Sequence, residues 1–245
     1  MKNKEWFASW FNTPFYHMLY QHRDFDEAEK FIDCLIEKLV PEDNSTFLDL
    51  ACGKGRHAYY LAKKGYVVKG VDLSSESIDS AEKDFRLENL SFNVHDMRFN
   101  MQDERFDYVF NFFTSFGYFD TLEDNKKVID VMSNSLNFGG TLVIDFLNAT
   151  KAVQNIVSEE AKELNNISFE IERKLESKVL VKDIRFKHMN EEYHYQEKVQ
   201  ALKLSDFRSL IKNTDLSLQE IFGDYALNDF DETNSDRLIM VFKKA

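Results

Sequence analysis

Short apolar runs alternate with amphipathic segments along the first 146 residues of the chain. The runs cover 46–50, 66–71, 90–95, 106–112 and 141–146, and their length and their β-branched or aromatic content are typical of buried strands. Before and between them, apolar residues recur at every third or fourth position over 24–39, 55–64, 75–87 and 121–136, which predicts helices. Strands that alternate with helices predict a parallel, doubly wound sheet.

Local signals predict where some of these helices begin and end. Asp24 and Glu27 have the spacing of a capping box at the start of the first helix. Thr121 is placed to cap the helix that follows the fourth run, because its hydroxyl can accept from a free backbone N–H. Gly139 and Gly140 are expected to end that helix.

The pattern changes after residue 150. A helix is expected over 151–162, and then three segments rich in β-branched and aromatic residues alternate partly with period two, over 167–175, 179–189 and 192–204. They predict an antiparallel meander. A further helix is expected from Ser205 to residue 212, followed by two strands over 216–222 and 237–242 that form a C-terminal hairpin.

The predicted fold class is therefore α/β, with a mostly parallel seven-stranded sheet, a C-terminal antiparallel hairpin and an inserted antiparallel β-meander. Residues 1–150 and 205–245 form the main domain, in which residues 1–40 are an N-terminal helical flap. Residues 151–204, hereafter the insertion, form a lid subdomain. The alternative for the insertion is a dimerisation surface.

Composition narrows the classes of partner. The net charge of −12 disfavours binding to a nucleic-acid backbone, since such binders present basic faces. Two cysteines in 245 residues favour a reducing compartment. The N-terminus does not resemble a signal peptide, and no apolar run has the roughly 18 residues needed to span a bilayer. We expect a cytoplasmic protein without nucleic-acid or membrane partners, as a monomer or homodimer.

The loop after the first run, "ACGKG" (residues 51–55, the glycine loop), carries the candidate chemistry. Gly53 and Gly55 let the backbone approach a ligand closely, and Asp72 closes the second run where its carboxylate can accept from ribose hydroxyls. An adenosine-type ligand is predicted. The Lys-Ser/Thr pair of a phosphate-binding loop is missing, and Ala58 stands at the third glycine of a dinucleotide fingerprint, so a nicotinamide cofactor stays an alternative.

At these residues the sequence resembles the class I S-adenosylmethionine-dependent methyltransferases, which have a Rossmann-like fold and a D-x-x-C-G-x-G loop. Ala51 replaces the glycine of the commoner G-x-G-x-G form. The resemblance implies that Asp72 binds the ribose, that Asp96 faces the adenine amino group and that Met97 lies beside the ring. The full set of implied S-adenosylmethionine-binding residues is Tyr16, Tyr20, Arg23, Asp49, Ala51, Cys52, Gly53, Asp72, Leu73, Asp96, Met97 and Asn111.

The aromatic N-terminal stretch "WFNTPFYHMLYQHRD" supports two interpretations. It is either a helix packed on the rim of the sheet or a flap over the cofactor, as methyltransferases of this kind often carry. In the second case Tyr16 or Tyr20 lies near the sulfonium or adenosine, and Arg23 pairs with the methionine carboxylate. Cys52 is interpreted as a small buried residue rather than a nucleophile.

The resemblance implies methyl transfer to a small-molecule acceptor, with S-adenosylhomocysteine as the product and no metal. A general base is needed only if the acceptor is protonated, and its candidates are His57, Tyr118, His188, Tyr193 and His194. Polar and aromatic residues of the insertion, Arg173, Arg185, His188, Tyr193, His194 and Tyr195, are expected to recognise the acceptor. The alternatives are a nicotinamide-dependent oxidoreductase and a non-catalytic module that binds S-adenosylmethionine.

Overall fold

The computed structural model describes residues 6–20, 25–102 and 104–245. Its helices are α1 (Trp6–Trp10), α2 (Pro14–Leu19), α3 (Phe25–Leu39), α4 (Arg56–Lys63), α5 (Ser75–Asp84), α6 (Leu122–Asn134), α7 (Ala149–Gln154) and α8 (Leu204–Leu210). Its strands are β1 (Thr46–Leu50), β2 (Val67–Asp72), β3 (Leu90–Val94), β4 (Phe106–Asn111), β5 (Leu136–Leu147), β6 (Glu159–Leu164), β7 (Ile167–Glu176), β8 (Val179–His188), β9 (Glu191–Gln200), β10 (Leu216–Phe222) and β11 (Arg237–Lys244).

The first sheet has seven strands in the order β10-β11-β5-β4-β1-β2-β3. Strand β11 is antiparallel to β5 and β10, and the other neighbouring pairs are parallel. The predicted α/β class and its C-terminal hairpin are thereby confirmed. The chain moves outward from β1 through β2 and β3, and then resumes at β4 on the other side of β1. This change of direction opens a crevice at the carboxyl ends of β1 and β4, where ligands bind in such sheets.

Helices cover both faces of the first sheet. Buried residues of α3, α4 and α5 pack on one face, among them Phe31, Leu61 and Ile78. Those of α6 and α8 pack on the other, among them Met132 and Phe207. Each of these helices has its apolar residues at helical spacing, so one side of it can be buried against the strands. Asp24, the predicted cap of α3, lies outside the described residues.

The two glycines expected to end α6 lie within a strand instead. Helix α6 begins after Thr121, whose hydroxyl accepts from the N–H of Asp124 as predicted, but it ends at Asn134. Strand β5 then starts at Leu136, and its register against β4 shifts at this point. Gly139 has a φ of +74°, which glycine adopts without steric cost. The glycines therefore accommodate an irregular strand start rather than a helix end.

The insertion forms a sheet of four strands, in the order β6-β7-β8-β9, with every neighbouring pair antiparallel. The predicted meander is confirmed, but the predicted helix over 151–162 is wrong in its second half. Helix α7 ends at Gln154, and Glu159–Leu164 forms β6 at the edge of the sheet. Helix α8 also begins earlier than predicted, after Lys203, whose N–H donates to the Asp206 carboxylate at 2.8 Å.

Helices α1 and α2 pack on the second sheet. Trp10 and Leu19 share a buried cluster with apolar residues of β7 and β8, including Phe169. The ring of Trp10 stacks on Tyr195 of β9 with centroids 4.4 Å apart, and its Nε1 donates to Glu197 Oε1 at 2.7 Å. The aromatic density of the N-terminus thus has a packing partner in the insertion. None of the helices in the described part of the chain combines the length and apolar character needed to cross a membrane.

Candidate active site

The backbone turns sharply out of the sheet directly after β1. Ala51, Gly53 and Gly55 have φ angles of 67°, 55° and 79°. The N–H groups of Ala51 and Cys52 both donate to the Val71 carbonyl, at 2.8 and 2.9 Å, which fixes the start of the glycine loop against β2. The loop therefore remains close to the carboxyl ends of two strands before α4 begins.

Asp72 joins the glycine loop to the turn after β2. Its Oδ2 accepts from the N–H of Gly53 and its Oδ1 from the N–H of Ser74, both at 2.8 Å. Burial raises the pKa of Asp72, and these N–H groups partly oppose the rise. A carboxylate oxygen can accept more than one hydrogen bond, so both oxygens retain acceptor capacity for a ligand.

A cavity of about 450 Å³ lies at this edge of the sheet, which is within the usual size range of small-molecule sites. Its lining comes from the glycine loop, from the turns after β2 and β3, from the loop after β4 and from helices α1 and α2. The predicted site residues that line it are Tyr16, Tyr20, Asp49, Ala51, Cys52, Gly53, His57, Asp72, Leu73, Asp96, Met97 and Tyr118. Most of the site residues predicted from the sequence therefore line one cavity in the structure.

Other candidates lie elsewhere. Asn111 is buried behind the cavity, and its Nδ2 donates to the Leu50 carbonyl at 2.8 Å, so it braces β1 against β4. His188, Tyr193 and His194 lie on the second sheet and are absent from the lining. Arg23 lies outside the described residues.

The three candidates of the second sheet have partners of their own. His188 lies against the ring of Phe15, Tyr193 stacks on Phe186, and His194 Nε2 lies 2.7 Å from Asp183 Oδ1. The other polar and aromatic residues expected to recognise the acceptor, Arg173, Arg185 and Tyr195, do not line the cavity either, since none of the insertion's residues does. The sequence could not reveal this, because strand alternation does not say which face meets which neighbour.

Asp49 gives the cavity a buried acid without a hydrogen-bond partner at one oxygen. The residue is 1% exposed and its Oδ2 has no partner among the described residues. Burial and then the charge of Asp72 raise its pKa to about 7, against a smaller opposite effect of the Ala58 N–H. A cationic ligand group would satisfy this oxygen and stabilise its charge. S-Adenosylmethionine carries two such groups, an ammonium and a sulfonium, so the acids present here fit it.

Cys52 and Asp96 have contrasting environments. Burial and then the charges of Asp49 and Asp72 raise the pKa of the Cys52 thiol well above its usual range, which suits a small buried residue rather than a nucleophile.

Burial alone would raise the pKa of Asp96, but hydrogen bonds from Arg98 outweigh it and the net shift is downward. The guanidinium binds both carboxylate oxygens, with Nη2 2.6 Å from Oδ2.

Two uncharged imidazoles face the cavity. Burial and then Arg56 hold the pKa of His57 well below its usual range, and burial and then Lys54 lower that of His17 to about 4. The Nε2 atoms of both histidines are buried and have no hydrogen-bond partner among the described residues. His57 also lies against the ring of Phe112, with centroids 5.1 Å apart. Sequence reasoning missed His17, because only the fold brings α2 to the glycine loop.

The loop after β4 (residues 112–119, the β4 loop) begins with a strained backbone conformation, which a buried hydrogen-bond network stabilises. Phe113 and Thr114 have φ angles of 59° and 60°, which are uncommon for residues with a side chain. The N–H of Phe113 and the hydroxyl of Tyr225 both donate to Asp145 Oδ2, at 2.9 and 3.1 Å. Arg237 Nε donates to Asp145 Oδ1 at 2.7 Å. Nothing in the sequence linked these four parts of the chain.

Helix α1 and the turn after it cover the cavity next to the turn after β2 and the β4 loop. The Ser74 hydroxyl donates to Asn12 Oδ1 at 2.5 Å, and the ring of Phe7 meets that of Phe119 with centroids 5.6 Å apart. Both flap residues line the cavity. Among the described residues there is no cluster of three or more histidine, cysteine or acidic side chains that could hold a metal.

Comparisons with known proteins identify the family of the chain. A methyltransferase domain family matches residues 41–221. A curated relative, the dTDP-3-amino-3,4,6-trideoxy-α-D-glucopyranose N,N-dimethyltransferase of Streptomyces venezuelae, is 30% identical over 132 residues, which is 53% of this chain. The chain spans about half the length of that relative, 54%.

Two solved structures have the same fold. An S-adenosylmethionine-dependent methyltransferase from Clostridium acetobutylicum has a TM-score of 0.80 at 21% identity, covering 94% of this chain and 96% of its own. The amino pentose methyltransferase CalS10 from Micromonospora echinaspora, solved with S-adenosylmethionine bound, has a TM-score of 0.72 at 17% identity, covering 95% and 98%. The nicotinamide alternative gains no support from these matches. The chain belongs to the methyltransferase domain family, and its fold is that of the class I S-adenosylmethionine-dependent methyltransferases.

Proposed function

We propose that this protein transfers a methyl group from S-adenosylmethionine to an amino group of a small polar molecule. The observation that carries the choice of acceptor concerns His57, a cavity-lining residue whose buried, uncharged Nε2 has no hydrogen-bond partner among the described residues. A hydrogen-bonding partner of this kind suits an amine N–H. The names of the relatives support the same choice, since one is an amino-sugar N,N-dimethyltransferase and another an amino pentose methyltransferase.

The residues of the glycine loop and of the strand ends would hold the cofactor. Asp72 and Gly53 suit the ribose, Asp96 and Met97 the adenine, and Asp49 the cationic amino-acid end. Tyr16 and Tyr20 line the same cavity from α2 and its end. When bound, S-adenosylmethionine supplies a methyl group on a positively charged sulfur. The contribution of the protein is then position and electrostatics, and orientation alone can supply roughly 7–11 kcal/mol in favourable cases.

His57 has a defined part in this proposal. Its imidazole is neutral near pH 7, because burial lowers its pKa, and it can therefore accept a hydrogen bond from the attacking amine. This bond turns the nitrogen lone pair toward the methyl carbon. Methyl transfer would form the N–C bond as the S–C bond of S-adenosylmethionine breaks, with S-adenosylhomocysteine as the leaving group. The extra proton on the methylated nitrogen is then lost to solvent, because burial makes His57 too weak a base to hold it. Tyr118 also lines the cavity and is the second candidate for this role.

The domain roles follow from the same proposal. Residues 1–40 act as a flap over the cofactor and residues 151–204 as a lid subdomain, and α1 and α2 support both assignments because they line the cavity and pack on the second sheet. The acceptor is a free small molecule rather than a nucleic acid, consistent with the net charge of −12. The two free cysteines fit a reducing compartment such as the cytoplasm. The protein acts as a monomer or homodimer, with dimerisation through the insertion as the alternative to a lid.

Measurement of S-adenosylhomocysteine release tests the proposal. A panel of amino sugars is compared with the sugars that carry a hydroxyl in place of the amine. We expect product with an amine only, and a loss of about 100-fold in turnover for His57→Phe, because the hydrogen bond that orients the amine is removed. His188→Phe, a histidine outside the cavity, should retain full activity.

Three outcomes would contradict the proposal in different ways. Equal rates with the hydroxyl sugars would show that the acceptor group need not be an amine. Full activity of His57→Phe would remove the role of that residue. Tight binding of S-adenosylmethionine with no turnover on any acceptor would favour the non-catalytic module.

A further inference from the structure

Two basic side chains from distant parts of the chain line the same cavity. His17 comes from α2, and Lys54 lies in the glycine loop. The Nε2 of His17 is buried without a hydrogen-bond partner, and Lys54 has no ion pair with any residue that the structure describes. The two side chains also interact electrostatically: burial lowers the pKa of His17, and the positive charge of Lys54 lowers it further.

The two groups have complementary chemistry toward an anion. An ammonium only donates hydrogen bonds, and a neutral imidazole has one N–H to donate. A carboxylate only accepts, and its hydrogen bonds to such donors are stronger than those between neutral groups. Asp49 also lines this cavity, and its buried Oδ2, which has no hydrogen-bond partner among the described residues, suits a cation. Together the three residues match a zwitterion, which has an ammonium and a carboxylate on one carbon.

We propose that His17 and Lys54 bind the carboxylate at the methionine end of S-adenosylmethionine. This inference rests on the proposed function for the identity of the cofactor. The flap interpretation of the sequence instead predicts that Arg23 pairs with this carboxylate, and Arg23 lies outside the described residues. Because His17 belongs to α2 and Lys54 to the glycine loop, the bound carboxylate connects the flap to the main domain. Closure of the flap then depends on the carboxylate rather than on the adenosine.

Calorimetry with two ligands isolates the carboxylate. One ligand is S-adenosylhomocysteine, and the other is its decarboxylated analogue, which keeps the amine and the adenosine. The wild-type protein should bind S-adenosylhomocysteine at least about tenfold more tightly, as expected for charge-assisted hydrogen bonds. His17→Phe and Lys54→Met should each reduce this preference about tenfold and leave the affinity for the analogue unchanged. Unchanged binding of the analogue also reports that each variant has folded.

Matched variants separate a binding role from a structural one. His17→Gln retains an N–H donor and should recover most of the preference. His188→Phe and Lys63→Met remove the same residue types outside the cavity and should leave the preference intact. In hydrogen exchange, S-adenosylhomocysteine should protect Pro14–Leu19, whereas the decarboxylated analogue should not.

The opposite results overturn the inference. Equal affinity of the wild-type protein for the two ligands would exclude a carboxylate site. A full preference in both His17→Phe and Lys54→Met would exclude these two residues, and loss of the preference in Arg23→Met alone would assign the site to Arg23. Failure of both ligands to bind the wild-type protein would instead overturn the proposed function, and this inference with it.

Discussion

At the scale of single residues, Asp49 should make the stability of the ligand-free protein depend on pH. Its pKa is about 7 in the fold, against about 3.9 for an unperturbed aspartate. The fold therefore favours the protonated acid, so this contribution is complete below about pH 4 and is lost as the pH rises through 7. The free energy of unfolding should fall by up to about 4 kcal/mol from this residue alone.

Asp49→Asn isolates the effect, because asparagine resembles the protonated acid at every pH. Thermal unfolding of the two ligand-free proteins should give similar midpoints near pH 4 and an increasingly more stable variant as the pH rises to 8. His17 and His57, with lowered pKa values, act in the opposite direction, but they are present in both proteins and cancel in the comparison. Parallel curves for the two proteins from pH 5 to 8 would show that Asp49 is already ionised.

Gly55 is the residue at which the glycine loop tolerates least change. Its φ is +79°, and a Cβ built there would lie 2.5 Å from two ring atoms of the buried Phe92. Gly55→Ala should therefore destabilise the protein by about 2–4 kcal/mol, from the left-handed backbone together with overpacking. Gly65 has a φ of +99°, but a Cβ at that position would have no atom within 4 Å, so Gly65→Ala should cost only about 1–2 kcal/mol. Urea denaturation distinguishes the two, and equal costs would mean that Phe92 moves aside.

The residues that could be predicted from sequence are those fixed by local order along the chain. Gly53, Asp72 and Asp96 each lie at the end of a strand or just after it, and parallel strands bring their carboxyl ends together without further information. His17 and Asp145 could not be predicted, because His17 reaches the cavity from α2 and Asp145 holds the β4 loop from within β5. Their partners are distant in sequence, and a single sequence carries no signal for such contacts.

At the scale of elements, the β4 loop depends on the buried pair of Asp145 and Arg237. Asp145 is fully buried and accepts from Phe113, Tyr225 and Arg237. Asp145→Asn leaves the guanidinium without its counter-charge, and removal of one partner of a buried pair costs about 3–5 kcal/mol. We expect that loss in urea denaturation, together with faster exchange of the Phe113 amide.

Tyr225→Phe is the milder comparison at the same carboxylate. It removes one hydrogen bond and keeps the ion pair, so it should cost about 1 kcal/mol. If Asp145→Asn were no more costly than Tyr225→Phe, the ion pair would contribute little to the loop. Such a result would leave the strained φ angles of Phe113 and Thr114 without an explanation.

Sequence patterns gave the wrong secondary structure where polar residues or glycines form part of a strand. Strand β6 has the sequence EEAKEL, which has the charged composition of an exposed helix, yet its residues alternate between exposed and half-buried positions at the edge of the second sheet. Edge strands often carry charges, because charged side chains discourage pairing with other chains. Gly139 and Gly140 likewise serve an irregular strand start, where glycine has the same conformational advantage as at a helix end.

At the scale of the whole molecule, helices α1 and α2 connect the two sheets. On one side Asn12 and Phe7 contact the turn after β2 and the β4 loop. On the other side Trp10 is 1% exposed, and it lies against Tyr195 and hydrogen-bonds to Glu197. The insertion therefore reaches the cavity indirectly, by supporting the helices that cover it. Deletion of the whole insertion would also remove the support of the flap, so a point substitution is the sharper experiment.

Trp10→Ala should loosen the second sheet and the flap together. Loss of a buried tryptophan costs about 3–5 kcal/mol, and here the lost contacts join α1 to β9. We expect faster hydrogen exchange in α1, α2 and β7–β9, unchanged exchange in β1, β4 and β5, and weaker binding of S-adenosylhomocysteine. Phe207→Ala is the matched control, because this ring is buried between Phe116 and Phe146 in the main domain. It should affect α8 and β5 and leave the second sheet protected. Faster exchange confined to α1 in Trp10→Ala would mean that the insertion is stable without the flap, and that the two do not act as one unit.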